Sequence, residues 1–306
     1  MTRWPRIAVI GAGAVGGYFG GLLARAGAPV VFIGRVAFAE TVKKNGLFLD
    51  TLSFQESVPV EASSELSAAR GAELVLFCVK TTDTEAVAQK LASLLAPEAI
   101  VVSMQNGADN AERIRAASGI AALPAAVYVA AAVPEPGRVK HAGRGDLVVG
   151  PRDARTEKVA ALFERAGIPC RISENIEGEL WTKLLMNCAG NAISALARVT
   201  YGTIAADEDA RTLVAAVVRE VLGVARAAGV LVPGMETPEA VIATALKLSA
   251  QMNHATSSTA QDLARGKRTE IASLNGYVAR RGAELGVAAP VNQALYALVK
   301  LAEEHG

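Results

Sequence analysis

The chain has 306 residues, 51% of them hydrophobic and 20% charged, and its formal net charge is +1. That length suits two domains and that apolar content suits a sizeable core, which excludes a disordered chain. No basic run or stripe occurs, so nucleic acid is not an expected partner.

The cysteines, Cys78, Cys170 and Cys188, are scattered. They form neither a disulfide framework nor a zinc pattern, so no metal is expected and a reducing cytoplasm fits. The longest uncharged apolar stretch, Ile120 to Val133, has 14 residues and contains Pro124, too short for a membrane span. Arg3 and Arg6 ahead of an apolar run mimic a signal peptide, but a glycine turn interrupts that run.

Four apolar residues, Ile7 to Ile10, lead into Gly11-Ala12-Gly13-Ala14-Val15-Gly16. An Ala- and Leu-rich helical segment, Val15 to Ala26, follows and closes at Gly27. Glycine turns are common; the strand before and the helix after make this one a dinucleotide site. Gly11 permits the sharp turn, Gly13 lets backbone approach a pyrophosphate, and Gly16 lets helix and strand pack closely. The helix N-terminus adds unpaired N–H groups and partial positive charge.

The next strand, Pro29 to Ile33, ends in Gly34-Arg35. NAD-selective sites carry an acid there for the ribose 2′-hydroxyl. This chain has none, and Arg35 is placed to meet a 2′-phosphate, so NADP is the expected cofactor. Residues 36–70 show only a short antiparallel excursion, 46–50 with 55–60. Leu74 to Val79 is a buried strand, and Lys80 at its C-terminal end faces the ligand side of a parallel sheet. A helix over 84–95 and a strand over 99–103 follow. That strand runs into Met104-Gln105-Asn106-Gly107, where Asn106 is either part of a tight turn or a contact for substrate and cofactor. Then come a helix over 108–117, one or two strands over 121–133, a hairpin pairing 137–141 with 146–149, a helix over 157–166 and a strand over 170–172. His141 reads as a surface or hairpin residue.

From Ser173 to Glu177 the pattern changes, and the remainder reads as helix: 176–196, 207–229, 238–253, 258–265, 270–285 and 290–304. The expected fold is α/β, an N-terminal Rossmann domain over 1–174 with a C-terminal all-helical domain over 175–306. The apolar helices after residue 205 suit internal packing or a homodimer surface equally.

The first of these helices carries Lys183, Asn187 and Asn191. At 100° per residue they project at about 0°, 40° and 80°, a single polar stripe on an otherwise apolar helix. Such a stripe is either a solvated face or a cleft wall. In a cleft, Lys183 has the chemistry of a general acid for a carbonyl receiving hydride, and its charge stabilises the alkoxide. A third segment runs from Thr256 to Ile271. Ser257 and Ser258 read as helix-start residues, and Glu270 falls in a first helical turn that Thr269 can cap.

Taken together, G-A-G-A-V-G at 11–16, G-R at 34–35, V-K at 79–80, Q-N-G at 105–107, W-T-K-L-L-M-N-C-A-G-N at 181–191, S-S-T-A-Q-D at 257–262 and K-R-T-E-I at 267–271 resemble the ketopantoate reductase family over essentially the whole chain. The resemblance implies NADPH-dependent reduction of 2-dehydropantoate to (R)-pantoate, a step toward pantothenate and coenzyme A, in a cleft between the domains. By position it implies Lys183 as general acid and Asn106, Asn187, Asn191 and Ser258 as substrate contacts. Glu270 would complete the site near substrate and ribose, and Arg35 and Lys80 would serve the adenosine phosphate end. The chain departs from the pattern at Ala255, where some members have asparagine, at Thr259, where methionine is common, and at Tyr201-Gly202, where an Asn-Gly turn can approach substrate. These departures leave open another 2-keto acid or a keto lactone as substrate. A non-catalytic nucleotide-binding regulator is the remaining alternative; the lysine, the two stripe asparagines and Glu270 argue against it.

Overall fold

The structure, a computed structural model, describes residues 3–234 and 237–305. The chain forms two compact units: one runs to Gln105 and resumes from Asp109 to Ile176, the other takes Asn106–Ala108 and everything from Glu177 onward.

The first unit alternates strands and helices. In chain order they are β1 (Ile7–Ile10), α1 (Ala14–Arg25), β2 (Val30–Ile33), α2 (Val36–Asn45), β3 (Leu47–Asp50), β4 (Gln55–Val58), β5 (Glu61–Ser63), β6 (Leu74–Phe77), α3 (Thr84–Ala92), β7 (Ile100–Ser103), α4 (Asn110–Ser118), β8 (Leu123–Ala132), β9 (Arg138–Val149), α5 (Ala154–Arg165) and β10 (Cys170–Ile172). The strands lie in the order β4-β3-β9-β8-β7-β6-β1-β2-β5, with β10 beside β9. From β8 to β5 every pairing is parallel. That arrangement buries both faces, and β1, β2 and β6 are accordingly apolar and buried throughout. On one face Phe19 and Leu23 of α1 and Val159 and Phe163 of α5 form the core; on the other, Ala88 and Leu91 of α3 and Ile114 of α4 do so.

Several expectations need correction here. The segment over 138–149 is not a hairpin but one strand, β9, which pairs antiparallel with β8. Two irregularities interrupt the register of that ladder, beside Tyr128/Val129 and Ala130/Ala131. Arg144 and Gly145, both at positive φ within β9, add a false turn signal. His141 lies on β9 and stacks on Tyr18, with ring centroids 4.5 Å apart. Helix α2 and strand β5 had no clear sequence signal, although the expected antiparallel pair is present as β3 and β4.

The second unit is helical: α6 (Ile176–Ala197, whose first residue groups with the other unit), α7 (Tyr201–Ala206), α8 (Glu208–Ala227), α9 (Pro238–Gln251), α10 (Ser258–Ala264), α11 (Asn275–Glu284) and α12 (Pro290–His305). No helix among the described residues is long and apolar enough to cross a membrane. Leu184, Leu185, Cys188 and Ala192 of α6 pack with Val217, Val218 and Val221 of α8 and with Val278 of α11 in one core. A buried polar chain crosses that core. The Asn275 amide donates to the Cys188 carbonyl (3.3 Å) and to Asn292 Oδ1 (2.9 Å), and the Asn292 amide donates to Glu220 (2.8 Å). Glu220 also accepts from the backbone N–H groups of Val291 and Asn292, the first turn of α12. The carboxylate therefore satisfies two otherwise orphaned donors at a helix N-terminus. Glu270 does not open a long helix as expected: it precedes a 3-10 turn, Ile271–Ser273, and α11 starts only at Asn275.

Candidate functional site

Parallel pairing in register sets the geometry of the dinucleotide half. Ile10 aligns with Ile33 of β2 and Phe77 of β6, and Phe77 aligns with Ser103 of β7. The strands therefore end level, and the segments that follow β1, β2 and β6 carry Gly11–Gly16, Arg35 and Lys80 along one sheet edge. Gly11 has φ +96°, and a Cβ there would lie 2.7 Å from the backbone of Cys78 and Val79. A Cβ on Gly16 would lie 2.3 Å from the Gly11 carbonyl oxygen and 2.8 Å from Val9 Cγ1. Gly13 differs: nothing stands within 4 Å of where its Cβ would be. It is the N-cap of α1, no side chain caps that helix, and its first turn has no acid. Open space above uncapped N–H groups is what an incoming phosphate requires, so this edge fits a dinucleotide pyrophosphate.

Arg35 is exposed at the N-cap of α2, directly after β2. Lys80 is partly buried and precedes the 3-10 turn Thr81–Asp83. Two residues that the sequence reading left without a role hold that turn. Gln105, buried, donates to the Val79 carbonyl (3.0 Å) and Thr84 Oγ1 (2.8 Å) while accepting from Ser103 Oγ (3.1 Å). Arg113 donates to the Thr81 carbonyl (2.7 Å) and, through two nitrogens, to the Glu85 carboxylate. The hydrogen bonds from Arg113 keep the Glu85 carboxyl below its ordinary range against the opposing effect of burial. Gln105 was visible only as part of the Q-N-G string; its three bonds join residues 21 to 26 positions apart with neighbours two away, which no local pattern reports.

In the second unit, Lys183, Asn187 and Asn191 lie along one face of α6, as their spacing requires. Lys183 and Asn187 are partly buried, and Asn191 is 3% exposed. The Asn106 amide donates to Glu270 Oε2 at 3.0 Å, joining two predicted site residues that are 164 positions apart. Ser258, exposed, is the first residue of α10, and Ser257 before it is the buried N-cap, accepting from Ala260 N at 3.0 Å. Ser257 Oγ donates to the Asn191 carbonyl (2.9 Å), and its backbone N–H donates to Ser194 Oγ (3.2 Å). This one side chain thus ties the start of α10 to the polar stripe. Tyr201, the first residue of α7, donates its hydroxyl to Asn191 Oδ1 at 2.8 Å. Glu270 follows Thr269, whose N–H and hydroxyl are both accepted by Glu303 of α12. Glu303 is a supporting residue that sequence reasoning did not connect to the site; Ser257 was read only as a helix-start residue, and Tyr201 only as a departure from the family pattern. Among the described residues, no cluster of His, Cys, Asp and Glu is arranged to hold a metal ion.

Comparison with known proteins agrees with this architecture. The family model described as ketopantoate reductase PanE/ApbA matches residues 7–154, and its C-terminal counterpart matches residues 175–303. The chain belongs to the ketopantoate reductase PanE/ApbA family. It is 32% identical over 305 residues to the 2-dehydropantoate 2-reductase of Pyrococcus horikoshii, covering 98% of each chain. To the enzyme of the same name from Halobacterium salinarum it is 33% identical, covering 98% of this chain and all of the relative. Among solved structures it resembles a PanE/ApbA family ketopantoate reductase from Ralstonia eutropha JMP134, at TM-score 0.92 and 45% identity with 98% of each chain covered. A D-mandelate dehydrogenase in complex with NADH also superposes, at TM-score 0.86 and 25% identity, covering 98% of this chain and 99% of that one.

Proposed function

We propose that the protein reduces the 2-keto group of 2-dehydropantoate to (R)-pantoate, with NADPH as hydride donor. The observation that carries this reading is the pairing of two half-sites in one chain: an open, uncapped glycine turn, and a helical unit whose Lys183, Asn187 and Asn191 share a face while Asn106 binds Glu270. The relatives named 2-dehydropantoate 2-reductase support it along nearly their full length.

The nicotinamide, when bound, supplies the hydride. The backbone of Gly11 to Gly16 takes the pyrophosphate, and Arg35, at a strand end with no acid, takes the 2′-phosphate. Lys80 serves the same phosphate end. Asn187, Asn191 and Ser258 hold the carboxylate and hydroxyl oxygens of the keto acid. Lys183 delivers a proton from Nζ to the C2 oxygen as charge develops there, and its ammonium stabilises that charge beforehand. Glu270 orients the Asn106 amide through their hydrogen bond.

The test is NADPH oxidation by the purified protein with a panel of 2-keto acids. 2-Dehydropantoate should turn over, and Lys183→Ala should lower kcat by about 100- to 10,000-fold, the range of a lost general acid. If no keto acid raises oxidation above background, the reading fails. Arg35→Ala should weaken NADPH far more than NADH, and equal losses would remove the 2′-phosphate assignment. A second reading keeps the chemistry and changes the acid. It is favoured by Tyr201, whose hydroxyl occupies Asn191 Oδ1, and by Ala255. The panel therefore includes phenylglyoxylate, the keto counterpart of the mandelate in the neighbour's name.

A further inference from the structure

Asn191 is the most deeply buried residue of the polar stripe, 3% exposed. Its hydrogen bonds are lopsided. Oδ1 accepts from the Tyr201 hydroxyl at 2.8 Å, and its backbone carbonyl accepts from Ser257. Nδ2, the donating half of the amide, has no hydrogen-bond partner among the described residues. The residue is buried as a whole, yet Nδ2 is not among the buried atoms left without a partner, so this donor keeps access to solvent and is open to an incoming acceptor.

Tyr201 is held as firmly as the group it contacts. Its backbone N–H donates to the Ala255 carbonyl at 3.0 Å, and Thr200 caps the short helix α7 by accepting from Thr203 N. Its ring fills the space beside Gly190, where a Cβ would stand 2.7 Å from Tyr201 Cε1. Burial raises the Tyr201 pKa well above its ordinary value, so the phenol remains a donor across the working pH range.

We propose that Tyr201 is the positioning residue for Asn191: by engaging Oδ1 it fixes the amide so that only Nδ2 faces the ligand, and Nδ2 then donates to an oxygen of the acid substrate. The proposal rests on the functional reading above and deepens it. Without the phenol the amide can turn, and its oxygen then opposes the carboxylate oxygen that Nδ2 would otherwise bind. Gly190 belongs to the same device, because any side chain there displaces the ring.

The test is a double-mutant cycle in the full-length protein using Tyr201→Phe, Asn191→Ala and the combination. Tyr201→Phe keeps the ring against Gly190 and removes only the hydroxyl. It should raise KM for the keto acid about tenfold, with a smaller change in kcat and KM for the nicotinamide cofactor unaltered. In the Asn191→Ala background it should add nothing. An unchanged KM in Tyr201→Phe overturns the proposal, as does a KM increase of the same size with Asn191 already removed. The side-chain amide resonances of Asn191, assigned by their loss in Asn191→Ala, provide a readout independent of turnover. Tyr201→Phe must shift them, and unshifted resonances overturn the proposal. Wild-type protein that turns over no 2-keto acid overturns the functional reading alone, and the amide comparison then decides the role of Tyr201.

Discussion

Glu303 offers a quantitative check on how the turn bearing Glu270 is held. Its side chain is 5% exposed. Oε1 accepts from the Thr269 N–H at 2.7 Å and from the Thr269 hydroxyl, while Oε2 pairs with Lys300. Thr269 is itself only 4% exposed. Glu303→Ala strands two buried donors, and at about 1–3 kcal/mol for each unsatisfied group the cost is about 3 kcal/mol. Glu303→Gln keeps an amide oxygen for Thr269 and loses only the charge facing Lys300. Lys300 is 37% exposed, and pairs with such exposure contribute about 1 kcal/mol or less. At about 3 °C per kcal/mol for a unit of this size, alanine should lower the melting temperature by about 9 °C and glutamine by no more than about 3 °C. Calorimetric scans of the two variants beside wild type measure this. Equal losses would refute the reasoning, because they would place the stabilisation in the charge rather than in the acceptor that Thr269 needs.

The glycine turn separates into crowded and open positions. Gly16→Ala should prevent stable folding of the first unit, since its Cβ would lie 2.3 Å from a carbonyl oxygen. Gly13→Ala should leave the melting temperature nearly unchanged but weaken nicotinamide dinucleotide binding in a calorimetric titration; full affinity would show that no phosphate passes over Gly13. Burial pushes the thiols of Cys78 and Cys188 upward and that of Cys170 up to about 12. At pH 8 the Cys170 thiolate is then about one part in ten thousand. Iodoacetamide should label the folded protein only slowly by mass spectrometry, and rapid labelling of the partly buried Cys170 would contradict its raised thiol pKa. Glu85 has its folded pKa depressed by Arg113. Its contribution to stability is therefore complete above the unfolded value of about 4.3 and is lost as pH falls through the lower folded value. Arg113→Met should flatten that part of the acid-unfolding curve, and an unaltered curve would remove the pair from the account.

The sequence displayed most of the frame because its signals are local. The runs Ile7–Ile10, 30–33 and 74–77 are short and wholly apolar, and the long helix from Ile176 shows its own period. The polar stripe on α6 is legible for the same reason, since 3.6-residue geometry forces Lys183, Asn187 and Asn191 onto one face. Helix α2 was hidden because Arg35 gives no side-chain cap and its buried positions, Phe38, Ala39 and Val42, span little more than one turn. Strand β9 was split where the sequence has Gly143-Arg144-Gly145; Arg144 and Gly145 do lie at positive φ, but the strand runs on through them. The supporting contacts were illegible for another reason: Asn106 with Glu270 and Glu303 with Thr269 are meetings of distant segments, and Tyr201 reaches Asn191 only because the chain turns between α6 and α7. Tyr201 stood out only as an unexpected residue type, and the direction of its hydroxyl depends on where α7 begins.

The three residues Asn106–Ala108 keep company with the helical unit although the sequence on either side of them belongs to the strand-bearing one. This makes the Asn106–Glu270 partnership a matter of inheritance as well as of geometry. A chimera joined near residue 176 takes its asparagine from one parent and its glutamate from the other. Two relatives can exchange their C-terminal halves without disturbing this bond only if both keep an amide at the first position and a carboxylate at the second. The natural unit of exchange is therefore the C-terminal half together with a three-residue insert from the middle of the N-terminal one, and homologous recombination at the apparent domain boundary leaves that insert behind.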